Sequence, residues 1–328
     1  MQPKKLQPGD EIRVVAPSRS LSLISQEARN IAEKKLMEMG FKVSYAKNVE
    51  EMDEFRSSSI ESRVADLHAA FADQNVKGIL TSIGGFNVNQ LLPYLDYELI
   101  KSNPKILCGY SDITALTNAI YAKTGLMTYS GPHFSTFGMT KGIVYTTDYF
   151  EKCLLQKESF AIQSSAEWSD DAWYLDQENR EFIPNEGMYV INAGEASGAL
   201  IGGNLCTLNL LQGTEFMPSL KDTILFVEDD DMVGEMFPVS FDRDLQSLLQ
   251  HVDFKGVRGL VIGRCQKGAQ MTREKLIKII KTKKELANIP VIAGVDFGHT
   301  TPQITFPIGG TVYLKAEEGK IALEIREH

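Results

Sequence analysis

An apolar run, Ile106-Leu107-Cys108, stops at Gly109, and a helical pattern begins just after Ser111-Asp112. A strand ending in a tight turn exposes a serine hydroxyl, and the free N–H groups of the following helix point toward any negative charge developing beside it. Those are the requirements of a nucleophile in acyl transfer. Serine and aspartate are also preferred helix N-caps, so Ser111 or Asp112 capping a helix over 113–123 is the plainer reading of the same residues. A serine nucleophile needs a base within hydrogen-bond reach and an acid that orients the base. Of the five histidines, His68 lies inside a helical pattern, His251 ends one and His328 is terminal. His133, in Gly131-Pro132-His133-Phe134, and His299, in Asp296-Phe297-Gly298-His299-Thr300, both lie on loops after apolar strands. Spacing alone does not choose between them.

Glu228 leaves the apolar strand Ile224-Leu225-Phe226-Val227 as a candidate acid, and Asp229-Asp230-Asp231 after it reads as a solvated turn. Clustered carboxylates can hold Mg2+ or Ca2+, but the EF-hand loop and its glycine are missing. No H-E-x-x-H, zinc-type Cys/His spacing or G-x-x-x-x-G-K occurs, so no metal and no phosphate-loop cofactor is expected. Gly84-Gly85-Phe86-Asn87 follows a strand expected to neighbour the one leading to Ser111. Glycine pairs ordinarily shape turns. Here the Gly85 N–H, with that of Asp112, is also a candidate oxyanion hole.

The elements that must position these residues alternate through the first half. Strands are expected at 12–16, 41–45, 78–83 and 105–108, and helices at 25–39, 60–73 and 113–123. That pattern predicts a parallel sheet with helices on both faces, which binds ligands at the carboxyl ends of its strands. Periodicity fades over 158–186, a stretch that holds both Trp168 and Trp173. From 187 onward strands and glycines dominate, with helical runs at 241–250 and 272–283, giving a second α/β unit richer in antiparallel pairing. The expected organisation is thus 1–157, a connector over 158–186, and 187–328.

The 328 residues carry a formal charge of −9, which argues against a nucleic-acid surface, and Lys281-Thr282-Lys283-Lys284 reads as a solvated helix face. Cys108, Cys153, Cys206 and Cys265 form no C-x-x-C pair and read as reduced and mostly buried. No apolar run approaches the roughly eighteen residues of a membrane span, and the basic N-terminus lacks an apolar segment, so a cytoplasmic protein without a membrane partner is expected.

Val14-Val15-Ala16-Pro17-Ser18, Ser82-Ile83-Gly84-Gly85-Phe86-Asn87, Gly109-Tyr110-Ser111-Asp112, Gly202-Gly203-Asn204-Leu205, Val227-Glu228-Asp229 and Asp296-Phe297-Gly298-His299-Thr300 together resemble the LD-carboxypeptidase family of serine peptidases. The resemblance runs in order along nearly the whole chain. It implies a flavodoxin-like N-terminal domain, a swivelling β/α C-terminal domain, a site at their junction and a homodimer. It also implies Ser111 as nucleophile, Glu228 as orienting acid and His299 as base, with no cofactor. Ile113 stands where the G-x-S-x-G elbow of α/β-hydrolases has glycine, so the shared order of Ser, Glu and His does not imply that fold.

Two substrates fall within the family: a murein tetrapeptide losing its terminal D-alanine, and an aminoacyl-nucleotide analogue of the microcin C self-immunity type. Asn87, Asn89 and the Trp-rich connector look more like the second group. By the same resemblance Asn204 and Arg243 match positions near substrate. Trp173 is a candidate to stack on an adenine face, or else a core tryptophan. A non-catalytic binding protein on the same fold is the reading from another class.

Overall fold

The computed structural model describes all 328 residues. Strands β1 (Glu11–Val15), β2 (Lys42–Tyr45), β3 (Val76–Thr81), β4 (Ile106–Cys108) and β5 (Thr128–Ser130) pair in parallel in the order β2-β1-β3-β4-β5. Successive strand residues face opposite sides, so the unbroken burial of β4 means that both faces of the sheet are covered. The cover comes from α1 (Gln26–Glu38), α2 (Ile60–Ala72), α3 (Tyr97–Ser102), α4 (Ile113–Thr124) and α5 (Val144–Leu154). In α1 the buried residues Ala28, Ala32 and Leu36 recur every fourth position, and Ser25 caps the helix by accepting from the Ala28 N–H.

The second sheet is larger and mixed. It takes β6 (Phe160–Ala161) from the connector, which also forms a short hairpin of β7 (Glu167–Trp168) and β8 (Ile183–Pro184). The sheet continues with β9 (Tyr189–Asn192), β10 (Gly194–Asn204), β11 (Thr223–Glu228), β12 (Val257–Gly263) and β13 (Val291–Val295). After β14 (Phe306–Ile308) come β15 (Thr311–Glu317) and β16 (Lys320–Glu327), in the order β6-β16-β15-β10-β11-β12-β13-β9. The run β10 to β13 is parallel and the flanking pairs are antiparallel. Helices α6 (Leu205–Asn209), α7 (Phe237–Leu249) and α8 (Arg273–Lys281) belong to this half.

Strand β14 does not join its neighbours in sequence. It crosses back and pairs antiparallel with β5 as the edge of the first sheet, where Pro307 is tolerated because an edge strand can spare an N–H. The two sheets share one continuous apolar core. At their seam the Asn118 side chain on α4 donates to the Gly202 carbonyl (2.9 Å), and the Asn204 N–H donates to Thr114 Oγ1 (2.9 Å). Gly203, at φ +127°, permits this approach: a Cβ there would lie 2.4 Å from Thr114 Oγ1.

Two surface readings are corrected. Lys283 is not on a solvated face; its side chain is 9% exposed and pairs with Asp242 on α7, while Lys281 donates to Asn192 Oδ1. All four thiols are free, but only Cys108 and Cys153 are buried.

Candidate active site

Ser111 sits between β4 and α4 with φ +60°, a left-handed backbone that costs a non-glycine residue on the order of 1–3 kcal/mol. Gly109 makes room for the turn, since a Cβ there would lie 2.2 Å from Thr81 Oγ1. Neither Ser111 nor Asp112 caps α4 through its side chain, so the plainer reading of this segment does not hold. Asp112 is buried and turns the other way. Its Oδ2 accepts from Ser18 Oγ (2.5 Å) and from the N–H groups of Asn87 and Val88 (3.0 Å each). Burial pushes its carboxyl up, and these bonds offset part of the rise. One carboxylate thus braces the ends of β1 and β3 against the serine turn.

Glu228 ends β11, opposite Asn204 in the register with β10, and is 3% exposed. His299 Nδ1 lies 2.8 Å from Glu228 Oε2, and His299 Nε2 lies 3.0 Å from Ser111 Oγ. Gly298, at φ +103°, lets the loop pass over the acid, because a Cβ there would lie 2.5 Å from Glu228 Oε2. The His299 loop is pinned on both sides by the connector. Buried Asp296 accepts from the Ser165 N–H (2.7 Å), Ser165 Oγ (3.1 Å) and Arg264 (2.5 Å), and Ser169 and Thr301 exchange two backbone bonds of 2.7 Å. Burial disfavours the imidazolium, but the Glu228 carboxylate, helped by Asp230 and Asp229, outweighs it and raises His299 to about 9. The raised value stabilises the fold fully below the ordinary 6.5, and that contribution fades as pH climbs through about 9.

His133 lies in the same neighbourhood but is not bonded to Ser111. Its Nδ1 meets Thr81 Oγ1 at 2.7 Å, and its ring stacks on Tyr110 with centroids 4.3 Å apart. Burial, and then the charge of His299, depress it to about 3, so this ring stays neutral. Tyr110 packs between the two histidines, its ring also meeting His299 edge-on at 5.4 Å. It has no counterpart among the residues singled out from sequence. Ser18 and Asp296 likewise act here, although a strand end at Pro17-Ser18 and the motif around His299 were legible.

The remaining expected residues divide. The backbone N–H groups of Gly85 and Asp112 make no hydrogen bond within the protein, and Gly84 beside them is close enough that a Cβ would lie 3.1 Å from Ser111 Oγ. Trp173, half-buried, lines a cavity of about 230 Å³ together with Tyr110, Tyr174, Gln266 and His299. Trp168 does not line it; its ring is covered by Arg264 at 5.0 Å. Asn204 is buried, with its side chain occupied: Oδ1 caps α6 at the Thr207 N–H and Nδ2 donates to Asp229 Oδ1 (3.1 Å). Arg243 is not brought to this group; its side chain is 76% exposed and bonds only to Ser240 and Asp244 of its own helix.

The expectation of a solvated turn after Glu228 fails at Asp229. Asp229 accepts from Asn204 and from the Cys206 and Asp230 N–H groups, and burial, then the Glu228 charge, raises it to about 7. Cys206, Asp229 and Asp230 bring ligand-type atoms within 4.8 Å of one another, with the Asp229 oxygens already engaged by these donors.

The family model for the LD-carboxypeptidase N-terminal domain matches residues 12–131, and that for the LD-carboxypeptidase C-terminal domain matches 197–314. YocD of Bacillus subtilis, a carboxypeptidase by name, is 56% identical over 328 residues, covering 100% of both chains. The crystal structure of an MccF-like protein from Bacillus anthracis str. Ames is 58% identical, with a TM-score of 0.99 over 100% of both chains. The microcin C7 self-immunity protein MccF of Escherichia coli is 33% identical over 88% of this chain and 85% of its own. The structure of MccF in complex with aspartyl sulfamoyl adenosine has a TM-score of 0.88, covering 100% of this chain and 99% of that one. No helix here is long and apolar enough to cross a membrane. With both domain models matched in order across the fold, the chain belongs to the LD-carboxypeptidase family of serine peptidases, within its MccF-like branch.

Proposed function

We propose that this protein hydrolyses the amide-type bond joining an amino acid to a nucleotide analogue, with Ser111 as nucleophile, His299 as base and Glu228 as orienting acid. The observation that carries the reading is the unbroken chain from Ser111 Oγ to His299 Nε2 (3.0 Å) and from His299 Nδ1 to Glu228 (2.8 Å). Ser111 attacks the carbonyl carbon as its proton passes to His299, and Glu228 holds the ring and stabilises the imidazolium. The unengaged N–H groups of Gly85 and Asp112 receive the oxyanion. His299 then returns the proton to the leaving group, and water repeats the sequence on the acyl-enzyme. The cavity beside His299 supplies the leaving-group side, where Trp173 offers an aromatic face to a purine. Support for the substrate class comes from the aspartyl sulfamoyl adenosine held by MccF. A second reading, release of terminal D-alanine from a murein tetrapeptide, is favoured by the names of the two matching domain models.

The deciding experiment is a side-by-side assay of purified protein on an aminoacyl sulfamoyl adenosine and a murein tetrapeptide. Faster turnover of the first is expected. Exclusive turnover of the tetrapeptide would replace the reading, and no turnover of either with no labelling by a fluorophosphonate would leave a binding protein.

Two further outcomes follow from the site. The base must be neutral to act, so kcat/KM is expected to climb with pH toward a plateau above about 9 rather than near 6.5. Glu228→Gln removes the main charge that raises His299 and should move that limb to lower pH. A limb unmoved by the substitution would belong to another group. Chelation is expected to leave turnover unchanged, since Ser, His and Glu need no ion. Loss in EDTA that Mg2+ or Ca2+ restores would assign the Cys206, Asp229 and Asp230 cluster to the reaction.

A further inference from the structure

Four carboxamide side chains, those of Asn118, Asn192, Asn204 and Gln303, are buried in this protein. Asn118 donates to the Thr114 and Gly202 carbonyls (2.8 and 2.9 Å). Asn192 donates to the Leu286 carbonyl (2.8 Å) and accepts from Lys281 (2.6 Å), and Asn204 is bonded at both ends. Gln303 breaks the pattern. It is 4% exposed, its N–H is bonded, and yet neither Oε1 nor Nε2 of its side chain meets a partner in the protein. A buried amide left unpaired costs free energy comparable to a lost hydrogen bond, so such a group is ordinarily completed by water or by a ligand.

Its surroundings favour a ligand. Gln303 lines the 230 Å³ cavity shared by His299, Trp173 and Tyr110. Thr300 Oγ1 and Thr305 Oγ1 also lack partners but are closed off in the interior, whereas both ends of the Gln303 carboxamide stay accessible, and the cavity is the space they open on. The backbone beneath it is fixed. The Gln303 N–H donates to Thr146 Oγ1 (3.0 Å) and the Ile304 N–H to the carbonyl of Asp296 (2.7 Å), the residue that also anchors the His299 loop. Little ordering therefore remains to be done when a ligand arrives.

The rest of the cavity narrows the chemistry of that ligand. The Tyr110 hydroxyl and Thr136 Oγ1 are likewise neutral and make no hydrogen bond in the protein. No lysine or arginine lines the cavity, and its two carboxylates are engaged, Asp170 by the Lys267 N–H (2.5 Å) and Asp171 by Arg180 (2.7 Å). Such a lining suits a flat, uncharged group with a donor and an acceptor side by side. A carboxamide carries one acceptor and one donor end in a single plane, the complement of the amino group and adjacent ring nitrogen on an adenine edge.

We propose that Gln303 is a specificity residue of the leaving-group pocket, pairing through its carboxamide with the amino group and neighbouring ring nitrogen of a purine base. The inference rests on the Ser111 and His299 reading for placing the leaving group in this cavity. A base without the amino group leaves Gln303 Oε1 unpaired in the complex and is bound less tightly.

The test measures binding to Ser111→Ala protein, so that nothing turns over. Affinities of aspartyl sulfamoyl adenosine and of the same compound carrying unsubstituted purine are measured by calorimetry, first with Gln303 present and then with Gln303→Met. With Gln303 the adenine compound is expected to bind on the order of tenfold tighter, the gap shrinking to within about twofold in the variant. Methionine keeps the length of the side chain and removes an unpaired polar group, so the melting temperature should hold or rise. The comparison of the two ligands on Gln303 itself does not depend on how the variant folds. Equal affinities with Gln303 present would mean that water alone completes the amide and would overturn the proposal. A gap that survives Gln303→Met, or no binding of either compound, would do the same. Hydrolysis of aspartyl sulfamoyl adenosine by the unaltered enzyme is read separately. Turnover without a gap sinks the role of Gln303 and leaves the Ser111 mechanism, whereas a Gln303-dependent gap without turnover sinks the mechanism and leaves the base site standing.

Discussion

Replacing Ser111 by alanine is expected to lower kcat by on the order of 10^6-fold while leaving the fold and substrate affinity nearly unchanged. The substitution removes one oxygen and keeps the turn. The left-handed backbone at φ +60° strains alanine about as much as serine, and Gly109, which makes that turn possible, is untouched. The Asp112 brace to Ser18, Asn87 and Val88 does not involve the serine side chain. Steady-state kinetics on an aminoacyl sulfamoyl adenosine, with a melting curve as the control, reads the result. Activity within about tenfold of the unaltered protein would remove Ser111 from the reaction.

His299→Ala should be nearly as damaging, because without the base the hydroxyl attacks as a neutral alcohol and the leaving group departs without a proton. Residues acting as one unit lose most of the effect with any single deletion, so the double variant with Ser111→Ala should be scarcely worse than either alone. Glu228→Gln should cost less, since the amide oxygen can still accept from Nδ1 across 2.8 Å but no longer balances the imidazolium. His133→Ala is the discriminating control. That ring bonds Thr81 and stacks on Tyr110 without touching Ser111, so its loss should lower stability by the few kcal/mol of a buried truncation and spare most of kcat. Inactivation by His133→Ala alongside survival of His299→Ala would reverse the assignment of the base.

The strands and helices that the sequence predicts were readable because their causes are local. Ala28, Ala32 and Leu36 at fourth positions, Ser25 before α1, and the apolar run into Gly109 all act within one or two turns of chain. Features set by distant partners were not. Asp112 reads as a cap, yet in the fold it accepts from Ser18 across 94 positions. Asp229 reads as solvated, yet the β10–β11 register brings Asn204 and the start of α6 onto it. Phe306-Pro307-Ile308 carries no strand signal and becomes one because β5 offers it a free edge. The same holds for the site. The residue types and motifs that named Ser111, Glu228 and His299 are in the sequence, together with the turn that exposes the serine. What brings His299 to Ser111 across 188 positions is the seam of α4 on β10 and the connector bonds at Asp296 and Thr301. Composition and periodicity specify which segments become strands and helices. Only tertiary packing, which satisfies polar groups far apart in the chain, decides which loop ends meet.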